Sequence, residues 1–576
     1  MHFNYRAIEF IHYSGCFRLK ICEAEISVMQ RTPKYLEPMP DWTDIERPAL
    51  IGSPASIEHP NHLRVAYLFI GVFIALSASL GNSLILSNAL LFQGEFGLTP
   101  SEAAWLPAVF VIGNTAANLY VIKIRQQFGL RLFAEISLVL CCICIGLHLL
   151  VNNYEMALAV RFLAGIVAAP LTSMSAHYVI QSFKKPSALK GIYVILGLQQ
   201  FGLPLAWMIS PSITHGEGWI DLAYFELGLY LCCLAMVVSL KLPRSIRAAV
   251  LEKADIFPLL FIFPAIALFS AVLVQGPIVW WFNASWIAYA LTIGFVLLVI
   301  GLVIEHHRKQ PLIVTHWLIM KSTLTFMIGA FSIRILMSEQ NYAVGHFLQT
   351  MGLLPEQLVG LYAMIGLGVL VGSIASILTF KPHLLIQQLL IAELLILIGC
   401  GLDLGLTHDI RPHDLFVSQF LIGCAGGIFM GPLVLVGYFR VLQHSQWSVV
   451  TFAVLLGVTQ NLGGLIGTSF FSTYQQHQTQ VHQQAIYSNL DATNAAVEYL
   501  LQQYSNQSRQ NSTDANFQQN SAQKSLNQII TREAQVLAFN DVIKINALLA
   551  TLVLIFGMGS LLWTRYNTRK QTLVSN

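Results

Sequence analysis

One feature recurs along the chain: apolar runs of about twenty residues, separated by short polar links. A run of that length, coiled as a helix, crosses the roughly 30 Å hydrocarbon layer of a bilayer. Backbone inside lipid must satisfy its own hydrogen bonds, and a helix does so within a single run. Spans are expected near residues 64–91, 103–122, 131–150, 154–180, 188–210, 219–241, 256–275, 284–304, 320–339, 357–379, 384–404, 413–438, 449–472 and 542–564. That makes an all-α integral membrane chain of fourteen spans. Charged residues make up 11% of the 576 positions. A soluble domain carries roughly 25%, so this surface is expected to face a lipid bilayer.

Lys and Arg set the orientation. They occupy alternate links: Lys123, Arg125 and Arg131; Lys184, Lys185 and Lys190; Lys241, Arg244, Arg247 and Lys253; Arg308 and Lys309; and Arg565, Arg569 and Lys570 at the end. The links between spans 1 and 2, 3 and 4, 5 and 6, 7 and 8, and 9 and 10 carry none. The expectation is a multi-pass protein of the cell inner (plasma) membrane with both termini cytoplasmic. Residues 1–63 read as a cytoplasmic tail, with Met29 a candidate start of translation.

Residues 473–541 form the one long outer link and are rich in Gln, Asn and Ser. Apolar periodicity in Tyr474–Tyr504 and Leu526–Phe539 flanks a low-complexity stretch, Asn506–Asn520. Two projecting helices around a flexible tip are expected; a tolerated surface insertion is the alternative.

The sequence also repeats internally. Arg161-Phe-Leu-Ala-Gly165 in span 4 aligns without a gap on Gln419-Phe-Leu-Ile-Gly423 in span 12. Gly197-Leu-Gln-Gln200 in span 5 matches Gly457-Val-Thr-Gln460 in span 13. Two six-helix units with two helices inserted between them account for both matches. The boundaries are 64–245, 246–319 and 320–565, with a tail at 566–576. Parallel six-span repeats are a transporter plan, with substrate held between the halves.

These stretches resemble the major facilitator superfamily, and within it the fourteen-span drug:proton antiporter branch of the multidrug efflux permease type. The resemblance covers about residues 64–565. Arg161 through Gly165 to Pro170-Leu is similar to that family's span-4 motif. Trp280-Trp-Phe282 and Glu305-His-His-Arg308 resemble the stretches flanking its extra eighth helix. Gly457 through Gly463, Gly464 and Gly467 looks like its span 13. There are departures. Leu80-Gly-Asn-Ser-Leu84 has no carboxylate where the family usually has an Asp. Lys123-Ile-Arg125-Gln-Gln-Phe-Gly129 lacks the Asp of the family's link 2–3. Gly202-Leu-Pro204 is a degenerate form of its span-5 signature.

The resemblance implies a secondary transporter, not an enzyme, exporting small amphipathic molecules such as drugs or toxic organics by alternating access. Export of an endogenous metabolite such as a siderophore, uptake of a nutrient, or a non-transporting receptor or scaffold are the alternatives. Charges in lipid are costly, so each intramembrane one is a site candidate. Arg161 either lines the cavity or braces its half through backbone carbonyls. Arg334 either faces the cavity or reaches outward to Glu339. Glu226 and Glu393 are the candidate proton carriers, while Glu135 and Asp255 are expected near water at the cytoplasmic ends. Asn82, Asn114, Asn118, Gln199 and Gln200 either line the cavity or link helices. Gly165, Pro170, Gly197, Gly202, Pro204, Gly457, Gly463 and Gly464 are read as packing and conformational positions. No cofactor or metal site is expected, and no basic stripe points to nucleic acid. In a Gram-negative host the outer link is a candidate docking point for a periplasmic membrane-fusion adaptor.

Overall fold

The computed structural model describes residues 51–184, 187–214, 218–308, 311–442, 448–489, 495–508 and 515–575, with a few positions between 35 and 48. Met29 and the tail before it lie outside the described residues. Among the described residues, eleven helices are long and apolar enough to cross a membrane. The number rises to thirteen if two bent pairs each count as one span: Pro100–Asn118 with Val121–Phe128, and Ala188–Gln200 with Gly202–Ile213. Pro204 accounts for the second bend: it has no N–H to offer the Gln200 carbonyl four residues back. The helix Lys321–Glu339, expected as span 9, falls outside this count. Arg334, Glu339 and five Ser or Thr side chains dilute its apolar content.

The internal repeat is visible in the packing. In the first half, Gly113 lies beneath the Phe162 carbonyl and Gly165 beneath that of Phe110, so a methyl at either glycine would strike backbone. In the second half, Gly368 lies beneath the Phe420 carbonyl and Gly423 beneath that of Ile365. The aligned Phe162 and Phe420 thus play the same part in two helix pairs, each brought to backbone contact by small residues. One apolar core runs from Tyr67 to Leu242. A second gathers Trp317, Phe326 and Phe429 with Ile543 and Ala550. We call these the first and second bundles. Ile256–Gln275 and Ser285–His307 pack on one another and leave Ile293, Phe295 and Val296 exposed, as a lipid-facing surface requires.

Two isolated bridges, Tyr35 to Ala248 and Pro54 to Ser245, tie the segment before the first helix to the strip after Ser239. Both therefore sit at one end of the molecule. The opposite end differs from expectation. Span 13 runs on without a break into the outer link: Ser448–Asn489 is one helix of 42 residues. Ala515–Ser575 is likewise unbroken, and Ala495–Ser508 packs beside it. A helix of that first length is about 63 Å long, twice the hydrocarbon thickness, so its far end stands clear of the membrane. His482 Nε2 lies 2.7 Å from Asp541 Oδ2, and Tyr487 donates to Asn527 at 3.1 Å, fastening the projecting helices together. Of the expected tip, residues 509–514 lie outside the described residues.

Candidate functional site

Arg161 is fully buried in the helix Tyr154–Ser182. Its Nη1 donates to the Gly81 carbonyl at 3.1 Å and its Nη2 to Asn82 Oδ1 at 2.9 Å. The guanidinium lies 4.7 Å over the Phe110 ring. Asn82 therefore fills the place of the missing carboxylate, holding the cation without neutralising it. Glu226 reaches the same small pocket inside the first bundle, beside Tyr230 and Cys141. Arg161 Nε and Glu226 Oε1 are both buried without a hydrogen-bond partner among the described residues. Arg161 thus braces the Asn61–Ser87 helix, and the pocket it lines is inside the first bundle, not the one between the two bundles.

A second, narrow pocket lies between the bundles. Gln200, Leu203 and Pro204 face Arg334, Met337, Gln340, Tyr362, Ile365, Val369 and Gly426 across it. Trp207 stacks on Tyr362 with ring centroids 4.7 Å apart, and the Tyr193 hydroxyl donates to Gln388 Oε1 at 3.0 Å. Asn461 Nδ2 donates to Thr115 Oγ1 at 2.7 Å, and Gly197 lets Ser373 approach from the other bundle. Aromatic and amide groups thus fasten the bundles at several levels around the pocket.

Arg334 does not reach Glu339. Its Nε donates to the Gln460 carbonyl at 3.2 Å, and its side chain lies against Gly463 and Gly464, where an added Cβ would come within 3.1 and 3.2 Å. Among the described residues no carboxylate lies within 4 Å of it. An unpaired guanidinium beside amides and an aromatic pair can hold a polar or anionic group of an amphipathic molecule.

The other candidates divide. Gln200 reaches the pocket between the bundles. The Gln199 and Gln460 amide nitrogens are buried without a hydrogen-bond partner among the described residues. Asn114 donates to the Gly165 carbonyl at 3.2 Å and so links two helices, while Asn118 donates to Asn114 at 2.9 Å within its own helix. Gly202 lies against Ser79, and Gly457 lies near Asn118. Pro170 sits inside an unbroken helix. Glu393 is buried near Gly557 and lines neither pocket.

Asp255 is not wet. It is buried, with Lys123 Nζ and Arg308 Nη2 each 2.7 Å from Oδ1. Arg308 Nη1 also pairs with Glu305 Oε1 at 2.5 Å. Burial works against the Arg308 charge, but the hydrogen bonds it donates to Asp255 and Glu305 outweigh it and hold the guanidinium above its ordinary value. The acid missing from Lys123–Gly129 is thus supplied from the start of the Ile256–Gln275 helix. Sequence reading also missed a chain of buried amides and acids: Gln340, Gln419, Asp403, Glu339 and Asn546. The alignment of Gln419 with Arg161 was its one signal.

The Major Facilitator Superfamily model matches residues 69–468. No curated protein matches the chain. Among solved structures, the human organic anion transporter MFSD10 (TETRAN) aligns at 14% identity and TM-score 0.48, over 85% of this chain and 100% of its own. The proton:xylose symporter XylE bound to 6-bromo-6-deoxy-D-glucose aligns at 14% and 0.49, over 84% and 95%. The partially occluded, inward-open xylose transporter XylE from E. coli aligns at 14% and 0.45, over 72% and 91%. With 400 of 576 residues matched, the chain belongs to the major facilitator superfamily and is a multi-pass membrane protein whose fold serves secondary transport of a small molecule across a bilayer.

Proposed function

We propose that the chain is an exporter of small amphipathic molecules, drugs or toxic organics, working by alternating access in the inner membrane. The pocket between the bundles carries this reading: Arg334, Gln200 and Gln340 offer polar contacts beside the ring of Tyr362. In this reading the helices form fourteen spans arranged 6+2+6, as in the drug:proton antiporter branch, with Lys321–Glu339 as the ninth. Both termini are cytoplasmic, consistent with the bridges joining the N-terminal segment to the strip after Ser239. A buried carboxyl carries a coupling proton. Glu226, which shares a pocket with Arg161, is a stronger candidate than Glu393. The projecting helices offer a periplasmic adaptor its surface.

The test uses everted vesicles loaded with a pH-sensitive dye and challenged with a panel of amphipathic compounds. Substrate-induced proton release in vesicles carrying the chain, and its absence in empty vesicles, is expected. Release that survives in Glu226→Gln and Glu393→Gln would remove both acids from the mechanism. Deleting residues 505–525 is expected to leave membrane insertion intact and lower resistance in cells; unchanged resistance counts against docking there.

A further inference from the structure

The two bundles carry the same polar knot with different charge. In the first, Arg161 faces Glu226 in one pocket, one cation to one acid. In the second, Gln419 stands at the aligned position and no cation replaces it. Gln419 Nε2 donates to Asp403 Oδ2 at 2.8 Å. Glu339 lies on the neighbouring helix, with Oε2 3.4 Å from Asn546 Nδ2. That same amide nitrogen is 3.4 Å from Cys400 Sγ, one helical turn before Asp403. Glu339, Asp403 and Gln419 are 2%, 4% and 0% exposed. Among the described residues no Lys, Arg or His comes within 4 Å of either carboxyl.

Two ionised carboxylates so placed would be uncompensated charges in a low-dielectric medium, a cost no arrangement of neutral amides offsets. A second observation points to what is missing. Asn546 is fully buried, and its Oδ1 has no hydrogen-bond partner among the described residues. Turning this amide by half a revolution would bring Oδ1 to the Glu339 carboxyl, where a proton on Oε2 supplies the absent donor. The other titratable groups packed around the knot do not compete. Cys400 is a thiol, and Asp541 and Lys544, further out on the Asn546 helix, pair with one another at 2.9 Å.

We propose that Glu339 and Asp403 form a proton-binding site in the second bundle, linked to the pocket between the bundles by Gln419 and Gln340. Gln340 Nε2 donates to Gln419 Oε1 at 3.0 Å, and Gln340 itself lines that pocket. An occupant that turns the Gln340 amide acts, through Gln419, on the hydrogen bond that Asp403 accepts. The site's role in coupling rests on the transporter reading; proton binding does not.

The test therefore needs no substrate. The purified full chain in lipid nanodiscs is titrated with pH while infrared difference spectra record the carbonyl stretch of protonated carboxyls. A protonated band at neutral pH is expected in the parent protein, reduced in Glu339→Gln and in Asp403→Asn. Gln419→Arg, which copies the cation of the first bundle, is expected to remove the same part of the band that the acid variants remove while leaving both acids in place, and stands in if an acid variant fails to fold. A band unchanged in all three variants overturns the proposal. So does sodium chloride displacing the protonated band where choline chloride does not, since the site would then hold a metal cation. Failure of vesicle transport with the band behaving as expected would overturn the exporter reading alone.

Discussion

Lys123 Nζ lies 2.7 Å from Asp255 Oδ1, and both side chains are buried although 132 positions separate them in the chain. This pair and the Arg308 contact fasten the Val121–Phe128 segment to the two helices between the bundles. Removing the shared acid takes away the partner of buried Lys123 and leaves Arg308 with Glu305. Asp255→Ala is expected to cost about 3–5 kcal/mol of stability, seen as a lower melting temperature in detergent and poorer yield from membranes. Lys123→Met, which leaves Asp255 paired with Arg308, is expected to cost less. Equal melting temperatures for the two variants and the parent would remove this cluster from the stability of the protein.

Arg334 makes the opposite case. Among the described residues no acid pairs with it, so Arg334→Gln strands no buried charge, and folding is expected to survive with less than about 1 kcal/mol lost. Transport of a polar amphipathic substrate is expected to fall at least about tenfold, a loss of 1.4 kcal/mol or more in binding. Thermal unfolding and vesicle transport on one preparation separate these effects, and a variant that transports normally would take Arg334 out of the substrate path.

Gly165 and Gly423 are under the same steric constraint in the two bundles. Replacing either with Val is expected to push paired helices apart and abolish the monodisperse peak in detergent. Gly146→Ala is the control: nothing lies within 4 Å of the added methyl, and relief of glycine's backbone freedom is worth about 0.5–1 kcal/mol. Normal folding of both Val variants would refute the close approach.

Alternating access requires the bundles to separate on one side at a time. Thr115 and Asn461, hydrogen-bonded across the divide at 2.7 Å, must part in one phase of such a cycle. Replaced by cysteines and joined with a short thiol linker, they are expected to stop transport, and reductive release is expected to restore it. Undiminished transport by the linked protein would mean that this contact stays closed throughout.

The repeat was legible in sequence because it is carried by residues aligned without gaps, Arg161 to Gly165 and Gln419 to Gly423. What could not be read is which way a polar side chain turns. Arg334 and Glu339 look like partners along the chain, but five residues rotate about 500° on a helix, leaving them about 140° apart. One therefore faces the gap between the bundles and the other the interior of the second. Asp255 was misplaced for a different reason. A residue near a helix end reads as wet unless its partners are known, and Lys123 arrives from another link of the chain. The amide chain from Gln340 to Asp403 escaped notice because uncharged residues give no signal of burial until their neighbours are fixed.

The unbroken helix from Ser448 to Asn489 also has a mechanical meaning. Its inner half lines the contact between the bundles through Asn461, and its outer end stands clear of the membrane with no joint between them. A stiff rod of this kind is a lever. If it pivots near Asn461, its outer arm is about 42 Å long, and a tilt of about 10° there sweeps the far end through roughly 7 Å. Anything resting on that arm would be pushed and released once in every cycle.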